Sequence, residues 1–275
     1  MDVRGLRVDE YQEAPLIFQR KFLPTVSGSH TWGRRGVWDD GSCFYHTVAA
    51  ITNYQDYHKK SKRQKQAIGR ELRQAVRRCL SEKAWRAILR EHHLEAGAPP
   101  FQTLCSEMAG FRTWANYWTI LFTFHMLHLN VIFYDMDNNG FPYCGITGLI
   151  PTKVDPRSLA PEAAALPDMR WRVCGIYWVQ HMHFEPLVLN QTEYHWDPAS
   201  PIGRGLIDRY MRFGSCGSGA PKFGQGEHHE EDEYTTGVIT PSAATEVNHY
   251  IRLLSHPIHP LTPVWQTHPL FGGIL

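Results

Sequence analysis

The sequence predicts an α/β (α+β) protein, and three features of the chain support that class. Segments whose apolar residues recur at helical spacing lie between residues 43 and 130. Short runs rich in branched and aromatic residues, typical of buried strands, follow at Val131–Tyr134, Arg172–Gln180 and His183–Leu189. Hydrophobic residues make up 43% of the 275 residues, which is enough to form a core. We therefore expect helices packed around a few short strands.

Helical segments are predicted in order along the chain, including a short one that holds Trp85, Ile88 and Leu89. The spacing of Phe44, Val48 and Ile51 predicts an amphipathic helix from Cys43 to about Asn53. A second apolar stripe runs through a basic lobe, His58–Arg90, and a third segment begins at Trp114 and leads into the strand at residue 131. A basic lobe can bind nucleic acid or an acidic partner, but a solvated helix face is the simpler interpretation. The formal net charge of +1 also argues against nucleic acid as a partner.

Composition divides the chain into three parts. Residues 1–29 are predicted to be an N-terminal extension or irregular arm, because prolines interrupt any long element there. Residues 30–198 hold the predicted helices and strands. Residues 199–275 are rich in glycine and proline and are predicted to be an irregular tail. The histidine and acidic run at residues 228–232 is interpreted as a flexible loop, so no metal is expected there.

The chain shows no targeting or membrane segment. The longest apolar stretch, Trp114–Tyr134, is interrupted by polar side chains and is better explained as a buried helix and strand. Six scattered cysteines without a CxxC pair predict reduced thiols in the cytoplasm, or in a host cytoplasm if the chain comes from a pathogen. The scatter also argues against a structural zinc site.

Cys43 is the candidate nucleophile. An Asp-Gly turn precedes it, and it stands in the first turn of the predicted helix, where unpaired N–H groups and the helix dipole stabilise a thiolate. Gly41 permits a tight turn, whose N–H groups can face a developing oxyanion. The alternative is that Cys43 is only a small buried hydrophobic residue.

His183 is the candidate general base. It heads a predicted strand, and Glu185 lies two residues on, so both side chains point to one face. A carboxylate so placed can orient the imidazole. His181 shares that face and is the nearest competitor. Most of the other histidines are expected to be ordinary surface or core residues.

These residues together resemble the ovarian-tumour (OTU) family of deubiquitinases. Asp40-Gly41-Ser42-Cys43-Phe44-Tyr45 is similar to the family's nucleophile motif, Asp-Gly-x-Cys followed by two bulky residues. The block from Trp114 to Tyr134 resembles its tryptophan-led helix and core strand. His183-Phe184-Glu185 resembles its His-aromatic-Asp strand, about 140 residues after the cysteine. The resemblance covers roughly residues 30 to 190.

The resemblance implies a papain-like OTU fold, with a small central β-sheet flanked by helical lobes, over an OTU-like catalytic domain at 30–198. It implies hydrolysis of (iso)peptide bonds at the ubiquitin C-terminus, with ubiquitin or polyubiquitin as partner and no metal or organic cofactor. Cys43 would be the nucleophile, His183 the base, and Asp40 would shape the oxyanion turn. Glu185 stands where the family has Asp, so Asp40 or a residue of the N-terminal arm could orient His183 instead.

Two other functions remain open at this point. A papain-like protease acting on another ubiquitin-like modifier, or on a peptide, would share Cys43 and His183. A catalytically weak OTU-like module could bind ubiquitin, or RNA through the basic lobe. The substitution of Glu185 for Asp favours the second alternative, whereas the intact Asp-Gly-x-Cys motif opposes it.

Overall fold

A computed structural model describes residues 5–28, 30–110, 114–135, 141–143, 154–179 and 183–213. Within these residues the helices are α1 (Leu16–Phe22), α2 (Cys43–Thr52), α3 (Lys62–Arg78), α4 (Glu82–Glu91), α5 (Phe101–Ala109), α6 (Tyr117–Leu127) and α7 (Pro201–Phe213). The strands are β1 (Tyr11–Glu13), β2 (Trp32–Arg35), β3 (Leu129–Asp135), β4 (Phe141–Tyr143), β5 (Arg172–Val179) and β6 (His183–Leu189). The predicted α/β (α+β) class, a small sheet flanked by helices, is confirmed.

The described strands form one six-stranded sheet in the order β1-β2-β6-β5-β3-β4. β3 and β5 run parallel, and the other described neighbours run antiparallel. β6 is therefore an inner strand, and it is buried along its whole length. Its first residue, His183, is held in register opposite Val179 of β5. This pairing with β5 gives the histidine a rigid base, and β2 holds the other end of β6 at residues 187–189.

Helix α2 packs against β6. The Thr47 hydroxyl donates a 2.7 Å hydrogen bond to the Phe184 carbonyl oxygen. The ring of Phe44 meets that of Phe184 edge-on, with centroids 5.6 Å apart. Asn53 ends α2 in the left-handed conformation that asparagine tolerates. The predicted helix and strand are confirmed, and these contacts fix the start of one against the start of the other.

Helix α6 begins three residues later than the spacing from Trp114 predicts. The Asn116 side chain caps it by accepting a 3.0 Å hydrogen bond from the Thr119 N–H, so the first turn starts at Tyr117. The helix then leads into β3, which contains the predicted strand Val131–Tyr134.

The basic lobe forms α3 and α4. Most of its lysine and arginine side chains are exposed, as expected of a solvated face. Lys65 and Arg73 differ, since they are only 5% and 2% exposed. With Gly69 they recur every four residues, so they lie on the same face as the buried Leu72. That spacing is visible in the sequence and could have identified both as inward-facing.

The structure differs from the sequence expectation in residues 1–29. This segment contains α1 and also β1, which pairs with β2 and extends the sheet. Pro15 stands at the N-cap of α1 and Pro24 follows the helix, so neither proline interrupts it. The segment belongs to the same compact unit, Met1–Gly224, as the sheet. The division at residue 29 stays a prediction.

Residues 199–275 were expected to be irregular, but α7 occupies the beginning of that range. Pro201 is its first residue, a position where the missing N–H of proline costs no helical hydrogen bond. The rest of the predicted tail, including residues 228–232, lies outside the described residues. Among the described helices, none combines the length and apolarity that a membrane span requires.

Candidate active site

Cys43 is the first residue of α2, as the sequence predicts. Its side chain is buried and forms no disulfide. Gly41, two residues earlier, has a φ of +77°, a conformation that glycine adopts without strain. No acidic residue stands in the first turn of α2. The sulfur therefore lies where unpaired N–H groups and the helix dipole favour an anion.

His183 lies beside this sulfur. The imidazole is 5% exposed, and ligand atoms of Asp39, Cys43 and His183 all lie within 4.8 Å of one another. The fold thus brings together the two residues chosen from the sequence as nucleophile and base. Such a pair can exchange a proton during acyl transfer. The competitor His181 lies outside the described residues.

Asp39 is a site residue that the sequence analysis missed. Its Oδ1 lies 3.7 Å from Nδ1 of His183, and its side chain is 68% exposed at the rim of the site. The interaction with His183 lowers the pKa of Asp39. The sequence signal was weak, because it consisted only of a second acidic residue beside Asp40.

Asp40 faces α3 instead of His183. Its Oδ1 accepts a 3.2 Å hydrogen bond from the Ser42 N–H and lies 3.0 Å from Nε2 of His46. Its Oδ2 accepts a 2.9 Å hydrogen bond from Arg70. Burial raises the pKa of Asp40, but His46 and Arg70 outweigh burial and hold it well below its usual value. These bonds suit a role in shaping the turn. They also direct the carboxylate away from His183, so Asp40 is not placed to orient that ring.

Glu185 lies behind His183 on the same face of β6, as the strand spacing predicts. Its Oε1 is 3.5 Å from Nε2 of His183. The carboxylate is fully buried and accepts two hydrogen bonds, one of 2.8 Å from Arg34 and one of 2.6 Å from the Leu6 N–H. Glu185 is therefore the carboxylate that the fold holds rigidly, and Asp39 is the one that solvent can reach.

The N-terminal arm touches this pair directly. Gly5 packs on the imidazole, since a Cβ at this position would lie 3.2 Å from Cδ2 of His183. The Asp9 N–H donates a 2.9 Å hydrogen bond to the Gly36 carbonyl oxygen, and its carboxylate pairs with the buried Lys65 at 2.5 Å. The arm thereby covers the side of His183 that faces Glu185. Among its described residues, 5–28, the arm contributes a backbone N–H to Glu185, and no acidic side chain of these residues pairs with His183.

Charge determines the state of His183. Burial lowers its pKa, but Asp39, Cys43 and Glu185 together outweigh burial and raise it to about 11. Neither ring nitrogen has a hydrogen-bond partner among the described residues, and both carboxylate distances exceed normal hydrogen-bond lengths. The attraction is therefore one of charge. At neutral pH His183 is an imidazolium, the form found in a thiolate–imidazolium pair.

The same atoms could also hold a cation. Among the described residues, Asp39, Cys43 and His183 form the group of potential metal ligands close enough to share one ion. Thiolate, imidazole and carboxylate are all ligands that zinc accepts. Metal binding and acyl transfer would compete, because an ion would occupy the sulfur and the ring nitrogen.

No protein-family model and no curated protein matches the chain. Among solved structures, an OTU domain in complex with ubiquitin is 14% identical with a TM-score of 0.41, and the match covers 76% of this chain and 93% of that chain. The OTU domain of OTUD1 is 19% identical with a TM-score of 0.35, over 57% and 85%. The Hazara virus OTU bound to ubiquitin is 15% identical with a TM-score of 0.34, over 63% and 98%. These values describe a distant likeness of fold and say nothing about individual side chains.

Proposed function

We propose that the protein is a cysteine-dependent deubiquitinase that hydrolyses (iso)peptide bonds at the ubiquitin C-terminus. The observation that carries the chemistry is the convergence of Cys43, at a helix N-terminus, with His183 and its two carboxylates. Ubiquitin as the substrate is supported by the resemblance of the residues around Cys43 and His183 to the OTU motifs. Such chemistry suits a reducing compartment such as the cytoplasm.

The geometry suggests a sequence of steps. In the thiolate–imidazolium pair His183 already holds the proton of Cys43, and the thiolate attacks the carbonyl carbon of the C-terminal glycine. N–H groups of the turn at Gly41 and of the first turn of α2 stabilise the oxyanion. The imidazolium then protonates the leaving lysine amine, and an acyl-thioester remains. Water, deprotonated by His183, hydrolyses the thioester, and release of the acid restores the thiolate–imidazolium pair.

Roles for the two carboxylates follow from their surroundings. Glu185 is held by Arg34 and the arm, so it can fix the orientation of the ring throughout the cycle. Asp39 is exposed and close to Nδ1, so it can stabilise the imidazolium only while that charge exists. Asp40 holds the turn through Ser42 and His46.

A ubiquitin probe with a C-terminal electrophile tests the proposal. We expect the wild type to form a covalent adduct, and Cys43→Ala to form none. His183→Ala should label at least about 10²-fold more slowly, because the general base is lost. Cys105→Ala is the matched control, since Cys105 is a partly exposed thiol away from the site, and it should label like the wild type.

The outcomes separate the alternatives. An adduct that persists in Cys43→Ala would show that the nucleophile is wrongly assigned. A folded wild type that labels only with probes of another ubiquitin-like modifier would keep the dyad and change the substrate. A wild type that binds ubiquitin but labels with no probe would favour the binding module.

Asp39→Asn should change the pH dependence of turnover. The raised pKa of His183 means that the imidazolium persists at neutral pH and is lost as pH rises through about 11. Removing the Asp39 charge removes the largest stabilising contact of that imidazolium, so the alkaline limb should move to lower pH. A profile of kcat/KM from pH 5 to 11 measures this shift. An unmoved alkaline limb would show that Asp39 does not act on His183.

A further inference from the structure

Arg73 of α3 is buried directly behind the turn that precedes Cys43. Its side chain is 2% exposed, although it lies on the otherwise solvated basic lobe. Nη1 donates a 3.3 Å hydrogen bond to the Gly41 carbonyl oxygen and lies 3.5 Å from the Ser42 hydroxyl. Nη2 donates a 3.0 Å hydrogen bond to the Glu107 carbonyl oxygen. One guanidinium thus joins the nucleophile turn to the end of α5.

These bonds fix a peptide plane. The Gly41 carbonyl belongs to the peptide that joins Gly41 to Ser42, and its oxygen is held from the α3 side. Gly41 has a positive φ and no side chain to limit rotation, so this peptide depends on bonds at its two ends: from Arg73 to the carbonyl oxygen, and from the Ser42 N–H to Asp40. The Cys43 N–H belongs to the next peptide, so its direction depends on this plane and on the Ser42 backbone that joins the two peptides.

Arg73 forms no close ion pair with a carboxylate among the described residues. In the described part of the chain no carboxylate oxygen pairs with it within 4.0 Å, and its Nε has no hydrogen-bond partner. The ring of Tyr45 lies 5.3 Å from the guanidinium carbon. Burial lowers the pKa of Arg73, whereas Tyr45, Asp40 and Cys43 act in the opposite direction. A buried, unpaired cation is costly unless an anion compensates it.

We propose that Arg73 is a positioning residue of the active site: it locks the turn that precedes Cys43 and places a buried positive charge behind that turn. This inference rests on the proposed acyl-transfer function of Cys43. The two roles use different properties of the side chain. Holding the turn requires the planar guanidinium, which bonds two carbonyl oxygens at once. The electrostatic effect on Cys43 requires only a positive charge.

Two substitutions separate the roles. Arg73→Met removes the charge and the fork, and Arg73→Lys keeps the charge but cannot bridge both carbonyl oxygens. Arg77→Met is the matched control, because Arg77 is exposed one helical turn further along α3. Two readouts are needed: kcat and KM on a ubiquitin substrate, and the pH profile of Cys43 alkylation by iodoacetamide, followed by peptide mass spectrometry.

For Arg73→Met we expect kcat to fall by about 10²-fold with little change in KM, because a misplaced oxyanion donor affects the transition state. The alkylation profile should shift to higher pH. Arg73→Lys should lose kcat but keep the alkylation profile of the wild type, and Arg77→Met should change neither. If Arg73→Met fails to fold, Arg73→Lys still tests the lock.

Two results would overturn the inference. One is an unchanged alkylation profile in a folded Arg73→Met variant, and the other is wild-type kcat in Arg73→Lys. The alkylation readout needs no ubiquitin. A wild type that is inactive on ubiquitin, yet shows the Arg73-dependent shift, would therefore refute the proposed function and keep the electrostatic role.

Discussion

Replacing Glu185 with glutamine should lower the free energy of unfolding by about 3–5 kcal/mol, because it leaves a buried cation without its partner. Arg34 is 5% exposed and Glu185 is fully buried, and their hydrogen bond is 2.8 Å long. The new amide would retain an acceptor oxygen for the Leu6 N–H, so the loss would report mainly on the charge. Urea denaturation followed by tryptophan fluorescence measures the change.

A double variant provides the control for Glu185. Arg34→Met combined with Glu185→Leu removes both charges, so we expect most of the lost stability to return. Labelling by the ubiquitin probe should nevertheless be slower in the double variant than in the wild type, because no rigid carboxylate then orients His183. Wild-type stability in the single variant would show that Arg34 does not depend on Glu185. Wild-type labelling in the double variant would show that the ring needs no orientation from this position.

Gly69→Ala should destabilise the protein by about 1–3 kcal/mol, the usual range for overpacking. In an ordinary helix interior the same change stabilises by up to about 1 kcal/mol. Here the new Cβ would overlap the imidazole of His46, which is fully buried and lies against Asp40. Either α3 moves away from α2 or His46 rotates, and each response disturbs the turn before Cys43. We therefore also expect slower labelling.

Gly97→Ala is the control for Gly69→Ala. A Cβ on Gly97 would meet no atom within 4 Å, so this substitution should leave both stability and labelling nearly unchanged. Thermal unfolding of the two variants in parallel gives the difference directly. A rise in Tm for Gly69→Ala would show that α2 and α3 can separate without cost, and the packing explanation would fail.

The parts of the site predicted from the sequence are those determined by local patterns. Helix α2 was recognisable because a turn motif preceded apolar residues at helical spacing, and β6 because of its composition. The shared face of His183 and Glu185 follows from the two-residue period of a strand, and the structure places both side chains accordingly. These inferences need no knowledge of which segments meet in space.

The parts that were missed depend on contacts between distant segments. Which of two adjacent carboxylates turns towards the histidine depends on the partners that α3 offers to Asp40, and Asp39 is left facing His183. The arm looked irregular because its strand is only three residues long and owes its stability to β2. Arg73 resembles its exposed neighbours in type, and only its spacing along α3 distinguishes it.

The sheet order also determines when Cys43 and His183 can meet. The inner strand β6 is the last of the described strands in the chain, yet it contacts some of the earliest elements: Arg34 and Glu185 are 151 positions apart, and Thr47 and Phe184 are 137 apart. Contacts between such distant positions form slowly, because a long loop must close first. During synthesis α2 emerges well before β6. A partly made chain therefore carries Cys43 without His183, and under the proposed function the reactivity of Cys43 would be a marker of completed folding.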